Sequence, residues 1–232
     1  MNSCWIDIPA PGGGDFGAYL SLPPTGSGPG IVLVQEIFGV NHHIRTVAEQ
    51  YALDGYVVLA PDVFWRDATR VELGYDEADF GRGLALLKRT DFDRATADVA
   101  ATATALRARP ECTGRVGTVG YCMGGLLSYR TAATGAVDAA VAYYGGGIAD
   151  ELDRAEGVRC PILFHFAELD RFITRDHVAA VKRAFAGREH AIVQTYAGVD
   201  HGFNCWGRPM YDQRAAALAH GRSLEFLSRH LA

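Results

Sequence analysis

The feature that most constrains the fold of this chain is its alternation of short apolar runs with longer stretches of helical periodicity. Runs such as I-V-L-V-Q-E at 31–36 and Y-V-V-L-A-P at 56–61 are continuously apolar, which is typical of strands buried on both faces. Further strands are expected at 16–22, 115–120, 137–144, 161–166 and 190–196, and helices at 43–54, 75–89, 93–108, 123–133, 174–186 and 211–230. Strands separated by such helices pair in parallel through right-handed crossovers. We therefore expect a single α/β domain over 1–232, with a mostly parallel central sheet and helices on both faces.

Charge and cysteine usage narrow the class of protein. A net charge of −5 argues against a nucleic-acid partner, since such proteins concentrate Lys and Arg on one face. The N-terminus has neither a basic segment nor an apolar segment typical of a signal peptide, and no apolar run reaches the ~20 residues of a membrane helix. The 5 cysteines are widely spaced without a C-x-x-C pair, so neither a disulfide framework nor a zinc site is expected. We expect a cytoplasmic protein without metal, cofactor or membrane partner.

Residues 120–124, G-Y-C-M-G, follow one expected strand and precede an expected helix. In the frame glycine–any–nucleophile–any–glycine, the central residue sits on a sharp strand-to-helix turn above the sheet. The glycines allow packing where a Cβ would clash, and the amide groups of a helix N-terminus favour a thiolate at Cys122. Taken alone, the five residues fit either a catalytic thiol or a small buried cysteine.

Two further reactive residues lie just beyond expected strands. Asp170 follows the strand at 161–166, and His201 follows the strand at 190–196. Each alone is ordinary, because aspartate is common in turns and a single histidine is common in surface loops. Their order along the chain, nucleophile, then acid, then histidine, is that of α/β-hydrolases, whose sites lie beyond the carboxyl ends of the strands. The order predicts that His201 accepts the proton of Cys122 while Asp170 orients the imidazole.

Glu36 ends the apolar run at 31–36. A carboxylate at such a position is costly unless it is paired or partly solvated, so Glu36 is either a salt-bridged rim residue or a functional group. The next residue, Ile37, occupies the loop that supplies one oxyanion donor in α/β-hydrolases, and Met123, after the nucleophile, supplies the other. Of the remaining histidines, His165 is expected in the core, and none is assigned a role.

Together these stretches resemble the dienelactone hydrolase family of the α/β-hydrolase superfamily. The similar segments, in order, are Q-E-I-F-G-V-N at 35–41, A-P-D at 60–62, G-Y-C-M-G-G at 120–125, Y-Y-G at 143–145, D-x-F at 170–172 and A-G-x-x-H-x-F at 197–203. The resemblance implies the α/β-hydrolase fold, a cysteine–histidine–aspartate triad, and oxyanion donors at Ile37 and Met123. It also implies that Glu36 helps to deprotonate the cysteine once substrate is bound. The reference substrates of the family are dienelactones, which are opened to maleylacetate.

Two departures from the family pattern bear on the substrate. The family's carboxylate-binding arginine comes four residues after the histidine, where this chain has Cys205, with Arg208 three residues further on. The family has a second arginine in the preceding helical stretch, and the only nearby arginine in this chain is Arg82, at a position shifted along the sequence. Bidentate recognition of a carboxylate by arginine is geometrically demanding, so these changes matter. Either Arg208 or Arg82 is expected to face Glu36, or Glu36 is free to pair with Cys122.

The pocket is accordingly expected to be more apolar than in the family. The resemblance implies that Leu84 and Leu87 replace an aromatic pair. Candidate substrate-binding residues are Phe38, Arg82, Tyr144, Phe172, Phe203, Cys205, Trp206 and Arg208, with Phe64 and Trp65 as further possible walls.

The leading hypothesis is a cofactor-free hydrolase, monomeric or a small homo-oligomer, that opens a lactone or cleaves an activated ester through a cysteinyl thioester. One alternative is an enzyme for a more apolar or polyketide-like lactone. Another is a non-catalytic relative that binds a small molecule, because fold alone does not prove function. In a third, Cys122 is a redox sensor and Cys205 its resolving thiol.

Overall fold

The computed structural model describes residues 2–232 and contains one sheet with helices around it. The strands are β1 (Asn2–Pro9), β2 (Asp15–Leu22), β3 (Gly28–Val34), β4 (Val57–Pro61), β5 (Cys112–Tyr121), β6 (Ala139–Tyr143), β7 (Ile162–Ala167) and β8 (Ala191–Tyr196). The α-helices are α1 (His42–Leu53), α2 (Glu77–Arg89), α3 (Phe92–Arg107), α4 (Met123–Thr134), α5 (Arg175–Ala184) and α6 (Gln213–Leu231). Short 3-10 helices at Ile148–Asp150 and Leu152–Gly157 follow β6. None of the helices within residues 2–232 is long and apolar enough to cross a membrane.

The sheet has the strand order β1-β2-β4-β3-β5-β6-β7-β8. The pairs from β4 through β8 are parallel, whereas β1 with β2 and β2 with β4 are antiparallel. The predicted α/β fold with a mostly parallel sheet is therefore confirmed. Strand β1 was not predicted: it is an edge strand with little buried side-chain surface, held by continuous pairing with β2 and by Trp5 packing edge-on against Tyr19, so it lacks an apolar run.

Helices cover both faces of the sheet. A Cβ on Gly30 of β3 would lie 2.9 Å from Leu106 of α3, and a Cβ on Gly117 of β5 would lie 3.0 Å from Leu231 of α6. Gly30 is paired with Val116, whose successor is Gly117, and successive residues of a strand point to opposite faces. Helices α3 and α6 therefore lie on opposite faces, as predicted.

Side-chain caps fix where most helices begin. Helices α1, α2, α3, α5 and α6 start after Asn41, Asp76, Asp91, Thr174 and Asp212, whose side chains each accept a hydrogen bond from an amide of the first turn. Of the α-helices within residues 2–232, only α4 begins without a side-chain cap. Its N-cap residue is Cys122. The first amide groups of α4 are thus left without a side-chain acceptor, at the carboxyl end of the sheet.

The junction between β5 and α4 is packed so closely that it requires glycine. A Cβ on Gly120 would overlap the carbonyl oxygen of Gly124, and a Cβ on Gly124 would overlap the carbonyl oxygen of Val34 in β3. The helix therefore starts in direct backbone contact with the neighbouring strand. This contact sets the height of Cys122 above the sheet.

A buried polar cluster joins the strands that carry the later part of the site. His165 Nδ1 lies 2.7 Å from Tyr196 Oη, and its Nε2 lies 3.0 Å from Ser223 Oγ. Tyr143 Oη is 2.7 Å from the same Ser223 hydroxyl, so β6, β7, β8 and α6 are linked through side chains. Burial lowers the pKa of His165 to about 3, so its imidazole is neutral near pH 7.

We predict that His165 makes the fold acid-sensitive. Its pKa of about 3 in the folded protein lies below the ordinary unfolded value, so its contribution to stability is present above pH ~6.5 and is lost as pH falls toward 3. Between pH 7 and pH 5 this loss is about 2 kcal/mol. Urea denaturation at both pH values should show that His165→Gln is less stable than wild type at pH 7 but loses about 2 kcal/mol less on acidification. Equal losses in the two proteins would contradict the prediction.

We also predict opposite outcomes for two glycine-to-alanine substitutions. Gly120→Ala places a methyl group against the Gly124 carbonyl, and we expect a loss of at least about 4 kcal/mol of unfolding free energy. Gly81→Ala, on the open side of α2 with no atom within 4 Å of the new Cβ, is the matched control, and we expect a gain of about 0.5–1 kcal/mol. Urea denaturation of the two variants measures both changes in unfolding free energy. A Gly120→Ala protein as stable as wild type would show that the junction tolerates a side chain.

Candidate active site

Cys122 occupies a strained turn between β5 and α4. Its backbone has φ 56° and ψ −117°. Residues other than glycine rarely adopt this conformation, which costs about 1–3 kcal/mol. The turn is held by the amide of Cys122, which donates to the carbonyl of Tyr143 at 3.0 Å, and by the glycine contacts described above. The predicted sharp turn is therefore present, and the thiol lines a cavity above the sheet.

Asp170 and His201 are joined by a hydrogen bond at the ends of β7 and β8. His201 Nδ1–H donates to Asp170 Oδ2 at 2.8 Å. The other carboxylate oxygen of Asp170 accepts from the amides of Phe172 at 2.8 Å and Ile173 at 3.0 Å. Because Asp170 is buried with both oxygens engaged, it holds the imidazole in one orientation, with Nε2 directed away from the carboxylate.

Opposing effects of burial and of neighbouring groups act on the protonation of His201. Burial acts to lower the pKa of His201, but the charge of Cys122, the hydrogen bonds that the imidazole donates to Asp170 and Cys122, and the charge of Asp170 outweigh it and raise this pKa to about 10. An imidazole that binds its proton this firmly beside a thiol can take the thiol proton and keep it. The pair can therefore supply a sulfur nucleophile without a metal.

Ile37 and Met123 both line the same cavity. Met123 is the first residue of α4, so its N–H has no acceptor within the helix. Ile37 lies in the loop after β3, and within residues 2–232 its N–H donates to no backbone carbonyl. Both N–H groups thus lack a backbone acceptor and belong to residues beside Cys122.

The cation opposite Glu36 is Arg208. Arg208 Nη1 lies 3.5 Å from Glu36 Oε1, and the side chains are 9% and 1% exposed respectively. Burial raises the pKa of Glu36, and the charge of Arg208 opposes that rise. The buried Tyr144 hydroxyl is also near Glu36, although its geometry does not complete a hydrogen bond. Of the alternatives that the sequence left open, the structure has the pairing of Glu36 with Arg208.

Arg208 reaches the site because the loop after His201 folds back on itself. The amide of Cys205 donates to the carbonyl of Gly202 at 2.9 Å, and the amide of Arg208 donates to the carbonyl of Cys205 at 3.0 Å. Gly202 has φ +83°, and its missing side chain leaves the space that the guanidinium of Arg208 occupies. Because of these successive turns, Arg208, which is seven residues after His201, lies beside Glu36.

The other residues predicted to bind substrate divide into three groups. Phe38 and Phe172 line the cavity together with Arg208. Tyr144 and Phe203 are fully buried behind His201, with the Tyr144 ring 5.0 Å from the imidazole and 5.6 Å from Phe203. Arg82, Cys205 and Trp206 do not line the cavity.

Each of these last three has a physical reason for its position. Arg82 lies on the outer face of α2, 71% exposed, and pairs with Asp79 at 3.0 Å. The thiol of Cys205 is buried close to Tyr75, and burial with the nearby charge of Glu36 raises its pKa to about 12. Trp206 is 42% exposed, and its ring lies 4.1 Å from His43 on the far side of the loop.

The cavity has a volume of about 190 Å³ and is mostly apolar. Besides the residues already placed, it is lined by Phe80, Leu84, Leu87, Phe92, Leu126 and Gly146. Leu84 and Leu87 were expected as replacements for an aromatic pair, whereas Phe92 and Leu126 were not predicted. The signal available in the sequence was the i, i+4, i+7 spacing of Phe80, Leu84 and Leu87. Within residues 2–232, no group of three or more His, Cys, Asp or Glu side chains is arranged to hold a metal ion.

Comparisons with known proteins agree with this geometry. Residues 16–231 match the model of the dienelactone hydrolase family. The chain is 36% identical over 225 residues to a carboxymethylenebutenolidase of Pseudomonas sp. (strain P51), covering 97% of this chain and 94% of the relative. It is 33% identical over 229 residues to carboxymethylenebutenolidase 1 of Cupriavidus pinatubonensis (strain JMP 134 / LMG 1197), covering 98% of this chain and 97% of the relative.

A solved structure supports the same assignment. A Klebsiella pneumoniae subsp. pneumoniae protein described as a dienelactone hydrolase superposes with a TM-score of 0.87 at 27% identity, covering 98% of each chain. A Pyrococcus furiosus esterase shares the fold at a TM-score of 0.75 and 16% identity, covering 100% of this chain and 94% of that one. The chain belongs to the dienelactone hydrolase family, as its motifs predict, and is a hydrolase with the α/β-hydrolase fold.

Proposed function

We propose that this protein hydrolyses a carboxylic ester or lactone through a thioester on Cys122. The observation that carries the proposal is that Cys122 and His201 line one cavity, while Asp170 holds His201 by a hydrogen bond of 2.8 Å. A nucleophile, a base beside it and a third group that orients the base are the parts that nucleophilic catalysis needs.

In the first half-reaction His201 holds the proton of Cys122, and the sulfur attacks the carbonyl carbon of the substrate. The carbonyl electron pair moves to oxygen, where the amides of Ile37 and Met123 donate to the developing oxyanion. When the carbonyl re-forms, the bond to the leaving oxygen breaks, and that oxygen takes the proton from His201. The products of this step are an acyl-cysteine and an alcohol, which stays attached when the substrate is a lactone.

In the second half-reaction water hydrolyses the thioester. His201 accepts a proton from water as its oxygen attacks the acyl carbon, and the same two amides stabilise the second oxyanion. Collapse expels the sulfur of Cys122 and releases the carboxylic acid. Asp170 stabilises the imidazolium in both halves without exchanging a proton itself.

The names of the relatives suggest the kind of ester. A carboxymethylenebutenolidase is named for a butenolide, an unsaturated lactone, that carries a carboxymethylene group. The cavity beside Cys122 has a volume of about 190 Å³, which suits a small ligand group. We infer that a small lactone, or the acyl part of a small ester, is the group bound beside Cys122.

Glu36 is proposed as a positioning residue in this scheme. Its carboxylate is the partner that holds Arg208 against the cavity wall, and removing one member of a buried pair leaves the other charge uncompensated. Burial lowers the pKa of Arg208, and the charges of Glu36, then Tyr144, then Cys122 raise it. An unpaired guanidinium at this position would therefore change the balance of charge that Cys122 and His201 share.

We predict that Cys122→Ala abolishes hydrolysis while leaving the fold intact. The variant keeps the cavity but has no nucleophile, so kcat for a 4-nitrophenyl ester should fall at least about 10³-fold. Cys4→Ala, at an exposed position of β1, is the matched control and should retain wild-type activity.

Iodoacetamide separates this scheme from a non-catalytic binding protein. One equivalent of label on Cys122 should remove wild-type activity, whereas Cys122→Ala should take up no label at that position. Full esterase activity in folded Cys122→Ala would disprove the scheme.

For Glu36→Gln we predict a change in both activity and thiol reactivity. The amide keeps the shape of the side chain but leaves Arg208 without an anion, so kcat/KM should fall about ten-fold. The uncompensated cation should favour thiolate at lower pH, so the rate of Cys122 alkylation at pH 6 relative to pH 8 should rise several-fold. Glu225→Gln, on the exposed face of α6, is the control. A Glu36→Gln protein with unchanged kcat/KM and an unchanged alkylation profile would remove Glu36 from the scheme.

A further inference from the structure

One wall of the cavity is a continuous apolar face. Helix α2 turns Phe80, Leu84 and Leu87 toward the cavity, at the i, i+4 and i+7 positions that share one side of a helix. Phe92 at the start of α3 and Leu126 in the second turn of α4 extend the same wall. A substrate group that enters beside α2 therefore meets only carbon atoms of side chains.

The rotation of α2 keeps its arginine out of the cavity. Arg82 lies two residues from both Phe80 and Leu84, which is about 200° around a helix of 3.6 residues per turn. Gly83 packs so closely on the preceding loop that a Cβ there would lie 2.8 Å from the carbonyl oxygen of Ile37. Because this contact fixes which side of α2 faces the loop, the helix cannot turn Arg82 inward without displacing the loop that contains Ile37.

The cation that does line the cavity already has a partner. Within the described residues 2–232, the cavity lining contains one Lys or Arg side chain, which is Arg208. Its Nη1 lies 3.5 Å from Glu36 Oε1. A substrate carboxylate placed on Arg208 would bring a second anion up to Glu36 in a buried site. A carboxylate placed against α2 would lose its hydration without gaining a hydrogen-bond donor.

We infer that this site takes an uncharged ester or lactone whose buried part is a short apolar chain or ring, and discriminates against substrates that carry a carboxylate there. The inference rests on the proposed function, since it names the substrate class of the same cysteine hydrolase. It sets this chain apart from relatives named for a lactone that bears a carboxymethylene group.

Two esters with the same leaving group test the inference directly. In 4-nitrophenyl hexanoate the six-carbon acyl chain ends in a methyl group, and in 4-nitrophenyl hydrogen adipate it ends in a carboxylate. The two reacting carbonyls are chemically alike because the difference lies at the far end of the chain. We expect kcat/KM of the wild-type protein for the hexanoate to exceed that for the adipate at least about ten-fold. Equal use of both esters, or preference for the adipate, would overturn the inference.

Substitution at Leu84 tests the cause. Leu84→Arg places a cation in the apolar wall, and the ratio of the two kcat/KM values should narrow at least about ten-fold through slower hexanoate and faster adipate hydrolysis. Leu84→Met, which conserves volume without adding charge, should leave the ratio within about three-fold of wild type. An unchanged ratio in folded Leu84→Arg would show that the wall does not set the preference. If Leu84→Arg does not fold, the wild-type ratio by itself still decides the inference.

The outcomes separate this inference from the function on which it rests. Hydrolysis that depends on Cys122 but favours the adipate overturns the substrate class and leaves the cysteine hydrolase standing. No turnover of either ester, or equal turnover by Cys122→Ala, overturns the proposed function and the substrate class together.

Discussion

The backbone contact between the start of α4 and strand β3 is the constraint on which the rest of the site depends. There is no room for a side chain at Gly120 or Gly124, so the helix begins directly at the carboxyl end of β3, before the loop that contains Ile37. Met123, at the start of this helix, lines the same cavity as Ile37, and Cys122 just before it has a positive φ of 56°. The strained conformation of one residue is thus held by the packing of the helix on the sheet, at the position of the proposed nucleophile.

Most of the architecture could be predicted because each strand and helix leaves a recognisable pattern within its own short segment of sequence. Parallel strands buried on both faces leave continuous apolar runs, and the helices between them carry apolar periodicity. Strand β1 shows the limit of this reasoning, since it is held by hydrogen bonds to β2 rather than by burial of its own side chains. An edge strand with exposed side chains carries little hydrophobic signal. The position of the candidate site followed from the same rule, because Cys122, Asp170 and His201 each follow a strand of one parallel sheet.

The sequence was less informative about the surroundings of the site. That Arg208 and not Arg82 faces Glu36 depends on successive turns after His201 and on the rotation of α2, both of which are tertiary properties. Trp206 and Phe203 lie in that same loop, yet one packs outward on His43 and the other inward on Tyr144. No periodicity distinguishes the two directions in a loop without regular structure. The apolar face of α2 was readable from its spacing, whereas the contributions of Phe92 and Leu126 required the packing of α3 and α4.

The distribution of charge around Cys122 links the proposed mechanism with the choice of substrate. Asp170 and Glu36 are anions, Arg208 is a cation, and the proton shared between Cys122 and His201 changes position without changing the total charge. With Glu36 ionised the site therefore carries one negative charge in excess, whichever partner holds the proton. When the sulfur of Cys122 adds to a neutral carbonyl, its negative charge moves to the substrate oxygen, so the total charge is unchanged and the proposed amide donors at Ile37 and Met123 would stabilise that charge in its new position. A neutral substrate therefore adds no net charge at any stage, whereas a carboxylate would raise the local negative charge on binding, within a cavity whose remaining walls are apolar.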